Sequence, residues 1–278
     1  MEQREAEVRL RRILARAADF ASARTVGIFG HDGSTPRFFA SGVLVSVSGD
    51  ALLLSAAHAL RHMRVSGDWA VSGTGLNGQA VEPVPLHDGK VAISTPTVRS
   101  DPTTDPHDIG VMLLSKDTAS RLAQNWSFAT PSDIDLRHVA DPDSWYCVLG
   151  IPKANVSTNH DAFEIDCEVL PLGTRWFTGD STQLRDYDPE INILLDYSDR
   201  VVLPEGRVVP SVEPYGMSGC GIWSLRTDSA NEGSSSSPCT LVGIQHAWFR
   251  EAGAIRGTYL GHAAGLASSR PMRSSGTE

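Results

Sequence analysis

Hydrophobic positions along the chain follow two different periods. From residue 4 to residue 21, Leu10, Ile13, Leu14, Ala17 and Ala21 recur at helical spacing, while Arg4, Arg9, Arg12 and Arg16 fall largely on the other faces. This spacing predicts one amphipathic helix. Glu2, Glu5 and Glu7 are interleaved with the arginines and weaken any attraction to an anionic membrane surface, so the apolar stripe is expected to pack on the body of the protein. After Arg24 the texture changes to short runs rich in Val, Ile, Leu, Phe and Trp. Strands are predicted at 25–29, 38–47, 51–55, 69–72 and 110–114, with turns at Asp32-Gly33, Ser48-Gly49-Asp50 and Asp88-Gly89. A helical stretch at 116–126 reads as a connector, and strands resume at 144–151, 163–170, 191–195, 221–225 and 241–248.

The organisation read from these runs is an N-terminal helix (1–23), a first β-rich half (24–126), a second β-rich half (127–266) and a flexible tail (267–278). The Ser-rich tract at 226–238 lies between two predicted strands and reads as a mobile surface loop, not a domain boundary. No internal repeat is visible.

Composition narrows the function classes. Lys and Arg number 24 against 33 Asp and Glu, a formal charge of -9, so there is no excess of basic surface to neutralise a phosphate backbone and nucleic acid is not expected as a partner. No apolar run approaches the roughly 20 residues that cross a bilayer, and residues 1–16 mix acids and arginines where a secretory signal would carry an apolar centre. A cytoplasmic location without membrane association is therefore expected. Cys147, Cys167, Cys220 and Cys239 have no C-x-x-C spacing and are expected as free thiols.

Three segments carry candidate chemistry. Leu52-Leu53-Leu54-Ser55-Ala56-Ala57-His58 is an apolar strand ending in small residues that allow close backbone approach beside a reachable histidine. Asp108-Ile109-Gly110-Val111 sets a carboxylate at the mouth of an apolar strand, where it can accept a bond from an imidazole Nδ1–H. Gly216-Met217-Ser218-Gly219-Cys220 brackets a serine with glycines, which permit backbone angles that aim two amides at one spot. Each segment alone is equally read as ordinary structure: a half-buried histidine, a turn-forming aspartate and a glycine-rich turn.

Jointly, in the chain order His, Asp, Ser, they resemble the trypsin-like (chymotrypsin-fold) serine peptidases, in the manner of a bacterial-type intracellular member. Ser55-Ala56-Ala57-His58 is similar to the family's T-A-A-H, Asp108-Ile109-Gly110-Val111 to its D-I-A-L, Gly216-Met217-Ser218-Gly219-Cys220 to its G-x-S-G-G, and Leu241-Val242-Gly243-Ile244 to its L-V-G-I strand. The resemblance covers residues 25–265. It implies an all-β-dominated fold of two six-stranded antiparallel barrels, here preceded by the N-terminal helix. Ser218 is implied as nucleophile, His58 as general base and then acid, Asp108 as the group orienting His58, and the Gly216 and Ser218 amides as the oxyanion hole. Val212, Gln245, His246, Ala247 and Trp248 are implied to line the substrate pocket, and Val212 where an acid would stand disfavours cleavage after Lys or Arg. The implied partner is a protein or peptide substrate, no cofactor is needed, and restraint by a regulatory protein partner is one way to contain such activity. Cys220, Gly221 and Met217 depart from the family pattern; Met217 stands where digestive members carry the Asp that captures a new N-terminus.

Competing readings are a catalytically silent peptide-binding module of the same fold and an esterase using the same triad. Gly73-Thr74-Gly75-Leu76-Asn77-Gly78 matches a dinucleotide fingerprint in letters only, because 79–85 reads as a strand where a helix is required. His58 and His62 are spaced like metal-ligating histidines, but Ala59 stands where H-E-x-x-H carries its Glu.

Overall fold

The computed structural model describes residues 2–32, 35–66, 69–73, 75–76, 81–86, 89–94, 106–159, 164–184, 186–197, 200–202, 207–226 and 237–268. Helix α1 (Glu2–Ser22) leads into β1 (Thr25–Asp32), β2 (Thr35–Val47) and β3 (Asp50–Ser55). Helix α2 (Ala57–Ser66) follows, then β4 (Trp69–Ser72), β5 (Val84–Pro85), β6 (Lys90–Ile93) and β7 (Gly110–Leu113). These strands form one sheet in the order β5-β4-β1-β2-β3-β7-β6. Its β2–β3 hairpin turns at Ser48 and Gly49, which have φ of 54° and 88°. Two successive positive φ values belong to the two-residue turn whose twist matches paired strands. The turns expected at Asp32-Gly33 and Asp88-Gly89, most of the 73–78 glycine run and the centre of the 226–238 tract include positions outside the described residues.

Helix α3 (Lys116–Leu122), whose first turn is capped by Ser115 Oγ accepting from the Thr118 amide at 3.1 Å, connects the halves. The second half holds β8 (Trp145–Gly150), β9 (Val156–Asn159), β10 (Glu164–Cys167), β11 (Leu170–Arg175) and β12 (Asn192–Asp196). It continues through β13 (Arg200–Val202), β14 (Val208–Pro210), β15 (Gly221–Leu225), β16 (Cys239–Phe249) and β17 (Ala254–Tyr259) to helix α4 (Leu260–Ser268). Eight of these strands pair in the order β12-β17-β16-β15-β8-β11-β13-β14, and β9 pairs with β10 separately. Two curled antiparallel half-barrels result, the two-barrel architecture expected from the sequence. The sheets have seven and eight strands where six apiece were expected. The surplus is made of edge fragments: the two-residue β5 and the three-residue β13 and β14.

The long apolar runs of β2 and β3 have a simple cause. Successive side chains point to opposite faces of a strand, and here both faces are covered. Leu44 and Leu53 enter the core of the first half, while Val43, Val45 and Leu54 face a larger core shared with α1, α4 and the second sheet. Cys147, Leu149, Trp223, Leu241 and Ile244 meet them there. A third core fills the second half around Val148, Ile222 and Val242.

Helix α1 packs its predicted stripe onto β8, β11 and β15. Ile13, Leu14, Ala17, Ala18 and Ala21 are buried, and Phe20 meets Trp223 edge-on at 5.9 Å. Leu14 rests over Gly173 of β11, where an added Cβ would lie 2.7 Å from Leu14 Cδ2. No helix among the described residues is long and apolar enough to cross a membrane. If α1 is integral to the core, Leu14→Ala leaves a cavity and lowers stability by about 2–5 kcal/mol. Urea unfolding should show a lower midpoint at unchanged slope; an unchanged midpoint would make α1 an accessory layer.

Candidate active site

The Asp108 loop crosses from the first half to the second. Pro106 O accepts hydrogen bonds from Asn192 Nδ2 at 2.6 Å and from Thr258 Oγ1 at 3.1 Å, so β12 and β17 hold the backbone two residues before Asp108. The Asp108 side chain is 2% exposed. Its Oδ1 accepts the His58 backbone N–H at 2.8 Å and lies 3.3 Å from Arg61 Nη2, while Oδ2 lies 2.5 Å from His58 Nδ1. His58 stands in the first turn of α2, where a carboxylate satisfies an otherwise unpaired amide and complements the helix dipole. Burial alone would raise the Asp108 pKa, but the hydrogen bonds and charge of His58 outweigh it and hold the carboxyl below its ordinary value. The result is an ionised carboxylate that orients an imidazole whose side chain remains 36% exposed.

The serine turn is shaped by its glycines. Gly216 and Gly219 have φ of 90° and 91°, angles that side-chain-bearing residues rarely adopt. A Cβ on Gly216 would run into the Phe38 ring, and one on Gly219 into Ser55 Oγ and the Ser41 carbonyl. That Cβ would also come within 2.9 Å of the Ala56 nitrogen, two residues before His58, so the turn is pressed directly against the start of α2. Met217 N–H is taken by Pro214 O at 3.0 Å and Gly219 N–H by Gln245 O at 2.7 Å. Among the described residues, neither the Gly216 nor the Ser218 N–H donates to a protein acceptor. Two free amides, one of them the serine's own, thus flank the engaged amide of Met217. Ser218 is half-buried, and its Oγ makes no hydrogen bond to His58; such bonds are often long before substrate is present.

Ser41 of β2, a residue that sequence reasoning did not select, fastens this turn. It is fully buried and uses every polar atom. Its N–H donates to Ser218 O at 2.9 Å, its hydroxyl donates to Gly216 O at 3.0 Å and accepts from Ile151 N–H at 2.9 Å, and its carbonyl accepts from Ser55 Oγ at 2.8 Å. Holding the Gly216 and Ser218 carbonyls fixes two peptide units of the serine turn. No pattern in the sequence marks Ser41, since a serine in an apolar strand carries no signal of its distant partners.

The expected pocket residues separate into two groups. Trp248 meets the exposed Tyr215 edge-on at 5.9 Å and Tyr197 at 6.4 Å, with the Arg250 guanidinium 5.6 Å from its ring. Val212 is half-buried beside them, its carbonyl accepting from Tyr197 Oη at 2.5 Å, and Ala247 is half-buried. Gln245 and His246 are buried instead. Gln245 Nε2 donates to Ala247 O at 3.1 Å, and the His246 ring lies between Thr258 and Asp108. The cause is a β-bulge: Gln245 pairs with Gly257 and Ala247 with Arg256, leaving His246 as the extra residue. Tyr197, Tyr215, Arg61 and Thr258 join the site without having been selected; only Tyr215 is marked in the sequence, by adjacency to Gly216.

Cys220 is fully buried, and burial pushes its thiol pKa well up, as it pushes those of Cys147 and Cys167 up to about 12. Its neighbourhood disfavours the thiolate that a nucleophile requires. His62 stacks between Phe39 and Trp69 and does not share a site with His58. Among the described residues, no cluster of three or more His, Cys, Asp or Glu could hold a metal ion.

No family model matches the sequence, and no curated protein does. Solved structures do match. Mouse neuropsin, a serine protease expressed in the limbic system of the brain, superposes with a TM-score of 0.54 at 13% identity, covering 90% of this chain and 94% of its own. The catalytically active tobacco etch virus protease, in complex with product, gives 0.44 at 12% identity over 87% of this chain and 75% of its own. A chain from the Sesbania mosaic virus VPg folding-and-binding structure gives 0.45 at 14% identity, covering 88% and 90%. The neuropsin likeness shows the fold: this chain has the chymotrypsin-like two-barrel architecture of the serine proteases.

The buried histidine has a consequence for acid stability. Burial lowers the His246 pKa from 6.5 to about 3, so between those values the unfolded chain binds a proton that the folded one does not. Stability is therefore lost as pH falls from about 6.5 towards 3. His246→Asn removes this titration, and chemical denaturation at pH 7 and pH 4 should show a smaller loss in the variant; an equal loss would place the acid sensitivity elsewhere.

Proposed function

We propose that the protein is a serine endopeptidase in which Ser218 is the nucleophile, His58 the base and Asp108 the carboxylate that orients it. The observation that carries this reading is the pair of free amides at Gly216 and Ser218, set on a turn packed against the segment bearing His58. Ser218 Oγ attacks the substrate carbonyl as His58 Nε2 accepts its proton, and the carbonyl π electrons move to oxygen, where the two N–H groups receive the negative charge. The tetrahedral centre collapses, the C–N bond breaks, and His58 returns the proton to the leaving amine. Water then repeats the sequence on the acyl-enzyme, restoring Ser218. The serine is favoured over Cys220 by the latter's burial and raised pKa.

The side chain before the cut rests on the Trp248 face, beside Val212 and Ala247, with Tyr197 and Tyr215 closing the aromatic shelf. An apolar residue suits this surface better than a cation. Gln245 and His246 support it from behind. Four free, buried cysteines fit a reducing compartment such as the cytoplasm, where narrow specificity or a regulatory protein partner would restrain activity. Two other readings of the same fold are a peptide-binding module, favoured by the missing Ser218–His58 hydrogen bond, and an esterase.

A fluorophosphonate probe separates the first two: the purified protein should label, and Ser218→Ala should not. On a cleavable peptide or ester, Ser218→Ala and His58→Ala should each lower kcat by about ten-thousand-fold or more, and by similar amounts because the groups act as a unit. Asp108→Asn should cost about ten-thousand-fold while labelling slows but persists. A wild type that neither labels nor turns over any substrate overturns the hydrolase in favour of the binding module. Digestion of a peptide library distinguishes peptidase from esterase.

A further inference from the structure

A cavity of about 480 Å³ opens between the two halves at the edge of their shared core, and none of its lining residues belongs to the candidate active site. Its floor is one face of three adjacent strands. Val45 of β2 stands opposite Leu52 of β3, and Leu54 of β3 opposite Val111 of β7, so these side chains point the same way. Helix α4 covers this face with Leu260, Ala263 and Ala264, positions three and four residues apart that share one side of a helix. Two of the three are alanines, whose side chains end at Cβ, and the space they leave is the cavity. Protein interiors hold few voids larger than a water molecule, and a volume of this size falls in the range of small-molecule sites. The third wall is tied to both sheets: Ser46 N–H donates to Ala129 O at 2.8 Å, and Asp135 N–H donates to Leu241 O at 3.0 Å. Gly261 lets α4 close on the same segment, since an added Cβ there would lie 2.8 Å from Leu136 O. These contacts set the walls before any ligand arrives.

The mouth carries one acid and one cation, and they differ in their partners. Asp135 Oδ1 accepts the Arg137 backbone N–H at 2.9 Å, and Oδ2 lies 3.7 Å from His138 Nδ1. The Arg137 guanidinium makes neither a hydrogen bond nor an ion pair among the described residues. Val47 and Leu136 line the same mouth and are 36% and 52% exposed, so large apolar side chains surround an uncompensated cation. We propose that this cavity binds a fatty acid: the hydrocarbon chain lies against Leu54, Val111 and Ala263, and the carboxylate meets the Arg137 guanidinium at the mouth. Burial of the chain against apolar walls supplies the affinity, and the guanidinium selects the end that stays in water. A cationic amphiphile has no comparable partner, because the Asp135 carboxylate is already held by its own loop. A neutral chain would leave Arg137 unused. The proposal goes beyond the peptidase reading and does not depend on it.

Titration calorimetry of the full chain with dodecanoate, held below its micelle concentration, should show one site. Binding should tighten along the series octanoate, decanoate, dodecanoate by up to about fourfold per methylene. Arg137→Gln should weaken decanoate roughly two- to fivefold, the worth of an exposed ion pair, and leave decanol unchanged. Ala264→Phe, which fills the space from α4, should abolish binding of both. Methyl ¹³C spectra of the wild-type protein give a readout that does not depend on any variant's folding: decanoate should shift the methyl signals of Val45, Leu54, Val111 and Ala263. Wild-type protein that gives no heat and no methyl shift overturns the proposal, as do shifts confined to other residues. An equal loss of decanoate and decanol in Arg137→Gln would leave a pocket for neutral chains and overturn the fatty-acid assignment. Self-association that Ala264→Phe abolishes, in a protein that binds no decanoate, would give this face to a second copy of the chain and overturn it as well.

Discussion

A carboxylate withdrawn from water has to be ringed by donors, and Asp108 takes its donors from α2 while the second half holds the backbone that leads into it. An unpaired buried charge costs several kcal/mol, so the fold is committed to whatever geometry supplies its partners. The start of α2 gives the His58 amide and ring, and Arg61 comes from the next turn. The backbone leading into Asp108 is held by Asn192 and Thr258 from the second half. The loop that carries the charge is thus fastened at the junction between the half-barrels, and the shared apolar core behind it adds non-directional attraction. Burial brings the halves together, and the hydrogen bonds to Pro106 O fix the loop that carries the carboxylate.

Ser41 performs the corresponding task for the serine turn with uncharged groups. Its four hydrogen bonds reach Ser218 and Gly216 in the turn, Ile151 just after β8 and Ser55 at the end of β3. Each bond contributes only about 1 kcal/mol net, yet an unmade one would leave a buried polar atom unsatisfied. The arrangement is therefore stricter than its energy implies. By holding Gly216 O and Ser218 O, Ser41 fixes the two peptide units whose N–H groups, those of Met217 and Gly219, are engaged by Pro214 O and Gln245 O. The backbone on either side of Ser218 is in this way fastened by a side chain on a strand of the opposite half.

The two-barrel architecture was largely legible because period-2 runs, Gly-rich turns and the α1 stripe are local signals. Strands β4 and β15 begin and end at their expected residues, and α1 and β2 extend only a few residues beyond theirs. Strand β17 was missed because Ala254-Ile255-Arg256-Gly257 mixes a charge and a glycine into a fully buried segment; Arg256 is satisfied there by the Asp186 carbonyl at 2.9 Å, a contact 70 residues away. Helix α2 was missed because its first turn continues an apolar strand, and its N-terminal cap is supplied by Asp108 instead of a neighbour. The His58–Asp108 contact agrees with the spacing of the motifs. The location of Gln245 and His246 did not follow from it, since a bulge is one extra residue and leaves no mark on the hydrophobic pattern.

That bulge also explains how one strand serves two tasks. A regular strand would alternate, sending Gln245 and Ala247 to one face and His246 and Trp248 to the other. With the extra residue inserted, Gln245 and His246 are both turned inward while Ala247 and Trp248 reach the surface beside Tyr215. The same four-residue stretch then packs a ring beside the Asp108 carboxylate and presents an aromatic face in front. A one-residue change in register on β16 would bring Gln245 or Ala247 to the place between Thr258 and Asp108 that His246 fills. The packing beside the Asp108 carboxylate and the shape of the aromatic shelf are therefore coupled through a single backbone irregularity, so neither can be altered independently by substitutions that shift this strand.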